Sequence, residues 1–244
     1  MPDAVFEEYV EFDADGLSLE GVLTYPQDGA PRRAALILAP HPHFGGNMDN
    51  NVVLHLARGL ARMDTVTLRF NYRGIGRSEG PPEAALRPYQ YWDSLERECR
   101  YEELLPDVSG AWFALKRCVD ASVPLAMVGY SLGAILGGMA APALAPDGVA
   151  AVCPPTQRLY LASYDSLPQS KVFLHGDRDF AFDAGAFSVE YERMPEPRQR
   201  VLLKGTDHFL RKEEARLIPP LADWLATLDA RGPRPLRGEL GVRR

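Results

Sequence analysis

The chain has 244 residues and only three cysteines, Cys99, Cys118 and Cys153, odd in number and widely spaced. That excludes a disulfide framework and leaves no cysteine-based metal pattern. The three read as reduced thiols in a cytoplasmic protein, none with a catalytic role. Long hydrophobic runs are missing as well. No stretch approaches the ~18 consecutive apolar residues that span a bilayer, so membrane insertion is not expected. The first eight residues, Met1-Pro2-Asp3-Ala4-Val5-Phe6-Glu7-Glu8, lack a basic segment followed by an apolar one and do not read as a secretory signal. Positive charge is not in excess: the formal net charge is -6, which argues against nucleic acid as the main partner. Basic residues do gather at the end, at Arg231, Arg234, Arg237, Arg243 and Arg244. With Gly232, Pro233, Pro235 and Gly238 among them, residues 231–244 read as a flexible, solvated basic tail.

What is present fits one α/β domain over residues 1–230, since a chain of this length can bury a substantial single core. Two alternating segments, Val5–Phe12 and Leu17–Tyr25, flank Asp13-Ala14-Asp15-Gly16, the pattern of an antiparallel hairpin. The periodicity then changes. Ala34–Ala39 is a continuous apolar run ended by Pro40, as expected of a strand covered on both faces. Thr65–Phe70, Leu125–Val128 and Lys171–Leu174 repeat that pattern, and Val149–Val152 and Val201–Leu203 add shorter strands. Helical spacing lies between them. Met48–Arg62 places Val52, Val53, Leu56 and Leu60 on one face, and Glu102–Val119 does the same with Leu104, Leu105, Val108, Trp112 and Leu115. Leu132–Leu144 is small and apolar throughout, and Lys212–Leu228 is amphipathic. Buried strands alternating with helices predict a mostly parallel sheet with helices on both faces and an antiparallel hairpin at its start. Residues 81–100 and 154–170 fall outside the alternation. Both follow strand ends, and the sequence leaves open whether they are lid-like insertions or surface connections.

Gly129-Tyr130-Ser131-Leu132-Gly133 has the pattern G-x-S-x-G. Composition alone gives roughly 0.07 chance occurrences in a chain of this length, so the match is informative. A buried strand enters it and a helical run leaves it, the strand–turn–helix setting in which such a serine is exposed as a nucleophile. A serine hydroxyl needs a base, and in this arrangement the partners follow in the order serine, acid, histidine. His41, His43 and His55 precede Ser131. His175 has only Asp147 and Asp165 between itself and the serine, neither at a clear strand end. His208, in the polar loop Lys204-Gly205-Thr206-Asp207-His208-Phe209, remains. The acid that orients it is expected just after Lys171–Leu174, where Asp177 and Asp179 compete. Asp179 is preferred as lying further into the loop, while Asp183 reads as the N-cap of a following helix. The oxyanion hole calls for the amide of Leu132 and one amide from the loop after the first buried parallel strand. Pro42 has no N–H, which leaves His43 or Phe44. Two neighbouring histidines with no carboxylate at ligand spacing do not make a metal site. Tyr130, Tyr89 and Trp92 are expected to line an acyl pocket.

Two longer stretches are more specific: His41-Pro42-His43-Phe44-Gly45-Gly46-Asn47-Met48-Asp49-Asn50, and Arg69-Phe70-Asn71-Tyr72-Arg73-Gly74-Ile75-Gly76-Arg77-Ser78-Glu79-Gly80. With them, residues 5–228 resemble the α/β-hydrolase superfamily, and within it a group of small bacterial hydrolases near dienelactone-hydrolase-like and serine-aminopeptidase-like enzymes. The resemblance implies the α/β-hydrolase fold, a Ser131–Asp179–His208 triad and an oxyanion site at Leu132 with the His43/Phe44 region. It departs at Pro81–Arg100, where such proteins pass quickly into a helix. In the second stretch, Arg73, Arg77 and Glu79 are expected to brace a tight loop by ion pairing rather than to bind a substrate anion.

The expected activity is cleavage of a carboxylic ester, thioester or lactone, with a small-molecule acyl substrate and no cofactor. Acyl transfer with the same triad and a non-catalytic binding protein on the same scaffold are the alternatives, and a homodimer is compatible with the sequence.

Overall fold

The computed structural model describes residues 4–28 and 30–229; the basic tail expected at 231–244 lies outside them. The first two strands, β1 (Val5–Ala14) and β2 (Leu17–Pro26), pair antiparallel through a two-residue turn at Asp15 and Gly16. Both turn residues have positive φ, 57° and 80°, the geometry that matches the twist of a hairpin and that Asp-Gly tolerates. Six further strands follow: β3 (Arg33–Leu38), β4 (Thr65–Phe70), β5 (Leu125–Tyr130), β6 (Gly148–Val152), β7 (Ser170–Arg178) and β8 (Arg198–Asp207). They complete one eight-stranded sheet in the order β1-β2-β4-β3-β5-β6-β7-β8. β2 joins β4 antiparallel, and every pairing from β4 through β8 is parallel. All residues of β3, β4, β5 and β6 are buried, Arg33 of β3 and Thr65, Thr67 and Arg69 of β4 among them.

The connecting helices are α1 (Asn51–Ala61), α2 (Pro82–Leu86), α3 (Pro88–Arg97), α4 (Leu105–Arg117), α5 (Leu132–Leu144), α6 (Arg158–Leu161), α7 (Ala184–Arg193) and α8 (Ile218–Ala226). α1 and α8 pack together, with a Cβ at Gly59 falling 2.4 Å from Ile218 Cδ1, while α4 packs on α5. Sequence periodicity overextends three helices at their starts. Tyr101–Leu104 and Glu214–Leu217 are 3-10 turns, and Asn50, whose side chain accepts from Val52 N at 3.0 Å, starts α1 later than Met48.

Chain direction positions the site. From β3 the sheet grows one way to β4, and β5 lies on β3's other side, so the loops after β3 and β5 part at a topological switch point. In parallel sheets the crevice that accepts ligands opens there, beyond the carboxyl ends of the strands. The loop that follows β4 is braced by buried charge. Arg73 donates from its backbone N–H (2.8 Å), Nε (2.9 Å) and Nη2 (2.6 Å) to the fully buried Asp107 carboxylate on α4. Burial pushes that carboxyl above its usual range, and the guanidinium pulls it back. Arg77 donates to Glu20, and Glu79 accepts from Ser18 N–H. The three residues brace the loop as expected, but each bonds to β2, its turn or α4 rather than to one another.

Asp107→Asn leaves the Arg73 cation half-shielded without a counter-charge, so it is expected to cost about 3 kcal/mol in urea unfolding. A loss under 1 kcal/mol would show that the loop is held by something else.

Candidate active site

Ser131 stands between the end of β5 and the start of α5 at φ 55° and ψ -110°, a region that non-glycine residues rarely occupy. Its N–H donates to Val152 O (2.9 Å) and its carbonyl accepts from Ala134 N–H (3.0 Å), so the unusual backbone is tied on both sides. The flanking glycines are sterically required. A Cβ at Gly129 would lie 2.1 Å from Gly133 O, and one at Gly133 would lie 2.2 Å from Leu38 O. Leu132 takes the first helical position, where an N–H has no intrahelical acceptor.

The structure brings the three sequence-assigned reactive residues together. His208 Nε2 lies 3.1 Å from Ser131 Oγ, and His208 Nδ1 lies 2.8 Å from Asp179 Oδ1. A carboxylate only accepts, so the Nδ1 proton faces Asp179 and Nε2 is left as acceptor for the serine hydroxyl. All three are nearly buried, at 9%, 5% and 7% exposure for Ser131, His208 and Asp179. Asp179 Oδ1 also accepts from Ala181 N–H at 2.8 Å. Asp177 is turned elsewhere: its Oδ1 accepts from Gly205 N–H (2.6 Å) and ties the end of β7 to the irregular end of β8. Asp183 is an N-cap, accepting from Ala186 N–H at 2.8 Å ahead of α7.

The loop after β3 folds as a 3-10 turn over Pro42–Phe44. Of the two amides expected to face an oxyanion, Phe44 N–H is committed to His41 O (2.9 Å), while His43 N–H reaches a side-chain acceptor, His41 Nδ1, at 3.2 Å. Gly45 is left-handed (φ 72°), and a Cβ at Gly46 would lie 1.9 Å from Pro40 O. The end of that motif braces its own loop, and the residue after it reaches the chain beyond β8. Asn50 Nδ2 donates to Gly45 O (3.2 Å), and Asn51 Nδ2 donates to Phe209 O (3.2 Å) and to Glu214 Oε1 (2.6 Å).

The expected acyl-pocket residues divide. Tyr89 is exposed and stacks on the His43 ring at 4.1 Å. Trp92 is buried, set edge-on against His41 at 5.5 Å, and holds that loop from beneath rather than offering a wall. Tyr130 is also buried, and its hydroxyl donates to His208 O at 2.8 Å. It anchors the histidine's backbone, a task that no sequence pattern announced. Phe180, exposed and 4.7 Å from the His208 ring, is a further aromatic that the sequence reading missed. Residues 81–100 fold as α2 and α3, with Tyr91, Trp92 and Leu95 buried. In 154–170, Tyr164 donates to Ala134 O at 2.6 Å. A cleft of about 630 Å³ between α2, α3 and the 3-10 turn at Tyr101–Leu104 is lined by Arg73, Tyr91 and Arg100 among others, but by none of Ser131, Asp179 and His208.

No family model matches the sequence. An uncharacterised protein of Rickettsia prowazekii, RP471, is 24% identical over 209 residues, covering 80% of this chain and 79% of its own. XC6422 of Xanthomonas campestris, described as an α/β serine hydrolase without a lid, superposes with a TM-score of 0.75 at 22% identity, covering 91% of this chain and 94% of that one. This chain has the α/β-hydrolase fold. A second structural likeness is to Est1E of Butyrivibrio proteoclasticus, solved with ferulic acid bound, at a TM-score of 0.72 and 15% identity over 91% and 99% of the two chains. Among the described residues, no helix is long and apolar enough to cross a membrane.

His175, the histidine set aside on chain order, is structural in this α/β-hydrolase fold. It is buried, stacks on Phe182 at 3.6 Å, and accepts from Arg200 Nε at 2.9 Å through Nε2. Burial pushes its imidazole below the ordinary value, with Arg200 adding to the effect and Gly176 O opposing it. A folded-state value below the unfolded one means that the unfolded chain binds the proton first. The stabilisation is therefore full above about pH 6.5 and lost as pH falls from there through the folded-state value. Stability of the wild type is expected to fall between pH 7 and pH 5, and His175→Gln to fall less steeply over that window. Parallel slopes in denaturant titrations at the two pH values would refute this.

Proposed function

We propose that this chain is a serine hydrolase that cleaves a carboxylic ester, thioester or lactone through an acyl-enzyme on Ser131. The observation that carries the reading is the unbroken relay from Ser131 Oγ to His208 to Asp179, at 3.1 and 2.8 Å, built on a strained turn. The serine hydrolase and esterase descriptions of its structural neighbours support hydrolysis as the reaction class.

In this mechanism the Ser131 hydroxyl gives its proton to His208 Nε2 as Oγ attacks the acyl carbonyl. Asp179 accepts from Nδ1–H, fixing the tautomer and stabilising the imidazolium that forms. The carbonyl oxygen becomes an oxyanion, which receives hydrogen bonds from Leu132 N–H and His43 N–H. His43 serves this role better than Phe44, because its amide is held only by an imidazole nitrogen while that of Phe44 closes the 3-10 turn. The tetrahedral adduct collapses as His208 returns the proton to the leaving alcohol or thiol. Water, deprotonated by the same nitrogen, then releases the acid and restores Ser131. No step calls for a cofactor. Tyr89 and Phe180, both exposed beside groups of the relay and the oxyanion loop, form walls that an acyl or leaving group meets.

A fluorophosphonate probe is expected to label the wild type and Ser188→Ala, an exposed serine on α7, but not Ser131→Ala. Absence of label on folded wild type favours a non-catalytic scaffold, and label that survives Ser131→Ala removes the proposed nucleophile. On p-nitrophenyl esters, Asp179→Asn is expected to lower kcat by roughly 10³-fold or more, whereas Asp177→Asn, which keeps an acceptor for Gly205 N–H, stays within about fivefold. Comparable losses in the two variants would overturn the assignment of the acid.

A further inference from the structure

Asp179 leaves one oxygen unaccounted for. Oδ1 takes the His208 and Ala181 N–H groups, but Oδ2 is buried and has no hydrogen-bond partner. A buried anionic oxygen without a donor is costly, so its surroundings bear on how the carboxylate is held. A thiol lies close to this carboxylate, that of Cys153, the residue that follows β6. Cys153 is fully buried, and its Sγ lies with an Asp179 carboxylate oxygen and a His208 ring nitrogen in a cluster whose atoms are all within 4.8 Å of one another. Its backbone is left-handed (φ 46°), and its N–H donates to Leu174 O at 2.7 Å. A cysteine held in that conformation, between the acid and the core, is placed by the backbone rather than by side-chain packing alone.

We infer that Cys153 is a positioning residue of the candidate active site: its S–H is the donor to Asp179 Oδ2, and it holds the carboxylate so that Oδ1 faces His208. Burial pushes the thiol well above its ordinary value and the negative charge of Asp179 pushes it further, so the proton needed for donation stays on sulfur. A thiol is a weak donor. It offsets part of the carboxylate's charge while leaving most of it for the imidazolium that forms in the reaction. An apolar side chain in its place would leave the oxygen bare.

The kinetic arm of the test rests on Ser131 being the nucleophile; the spectroscopic arm does not. In the first, Cys153→Ala and Cys153→Gly remove the donor, the glycine also relieving the positive φ in case alanine does not fold, and Cys153→Ser restores one. With p-nitrophenyl acetate, kcat for the alanine and glycine variants is expected to fall by about tenfold, the scale of one hydrogen bond, with KM within about twofold. The acid limb of their kcat/KM profile is expected to move up by about half a pH unit, because a less neutralised Asp179 holds the imidazolium more firmly. Cys153→Ser is expected to return both to near wild type. A purely space-filling role would lower stability without moving the acid limb, and serine would not differ from alanine.

In the second arm, the Nδ1 proton of His208 is followed by NMR in histidine-labelled Ser131→Ala protein. Its resonance is expected to move downfield with Cys153→Ala or Cys153→Gly and to return with Cys153→Ser. An active wild type with an unmoved acid limb and an unmoved Nδ1 resonance overturns the inference while leaving the hydrolase reading in place. A wild type inert to the probe and to esters, with the Nδ1 contrast intact, does the reverse.

Discussion

The rest of the molecule is arranged around a backbone collision narrowly avoided, where the turn at Ser131 presses against β3. Positions 129 and 133 have room for a hydrogen and nothing larger, and the serine between them sits in a conformation that costs on the order of 1–3 kcal/mol. That cost is offset because the turn is built into four layers at once: β5 leads in, α5 leads out, Val152 O holds the Ser131 N–H, and Leu38 closes from the side. A serine on a surface loop would explore many rotamers and backbone states. Here the hydroxyl has one address, and preorganisation of this kind is what the proposed attack by a weak nucleophile requires.

The two long motifs take on a physical meaning in that light. Few of their side chains aim at the reactive groups. Asn71 accepts from Met48 N–H and donates to Glu20, Ser78 bridges Asn71 and Glu20, and Arg73 binds Asp107. They lock the loops after β3 and β4 to β2 and α4, although neither loop is part of a strand. Loops that carry polar backbone near a buried site must satisfy it internally, and these motifs are the means. The aromatic residues of α3 serve the same end, with Trp92 packed under His41 instead of lining a pocket.

How much of this was legible depended on whether a signal was local. The strands, the Asp-Gly hairpin and the Ser131 turn each declare themselves within a few residues, through unbroken apolar runs or glycines with no alternative. His208 followed from chain order and its polar loop, and Asp179 was preferred to Asp177 because it lies further into the loop; in the fold Asp177 holds the Gly205 amide instead. What could not be read depended on distant partners. Arg73 pairs with Asp107, 34 positions away, and Arg77 with Glu20, 57 positions away, so a bracing role was visible but its partners were not. Tyr130 looked like a pocket residue because it adjoins the serine, yet its side chain points beneath the site to the His208 carbonyl. Cys153 gave no signal at all, since a lone buried cysteine in sequence resembles any small core residue.

The bond from the Tyr130 hydroxyl to the His208 carbonyl has a mechanical corollary. His208 is moored to Tyr130, the immediate chain neighbour of Ser131. When the sheet breathes or the loop beyond β8 drifts, both groups are dragged by the same tether, and their separation changes less than either position does. Tolerance to motion is thereby written into adjacency: one phenol converts a fluctuation across 77 residues of sequence separation into a displacement that Ser131 and His208 share.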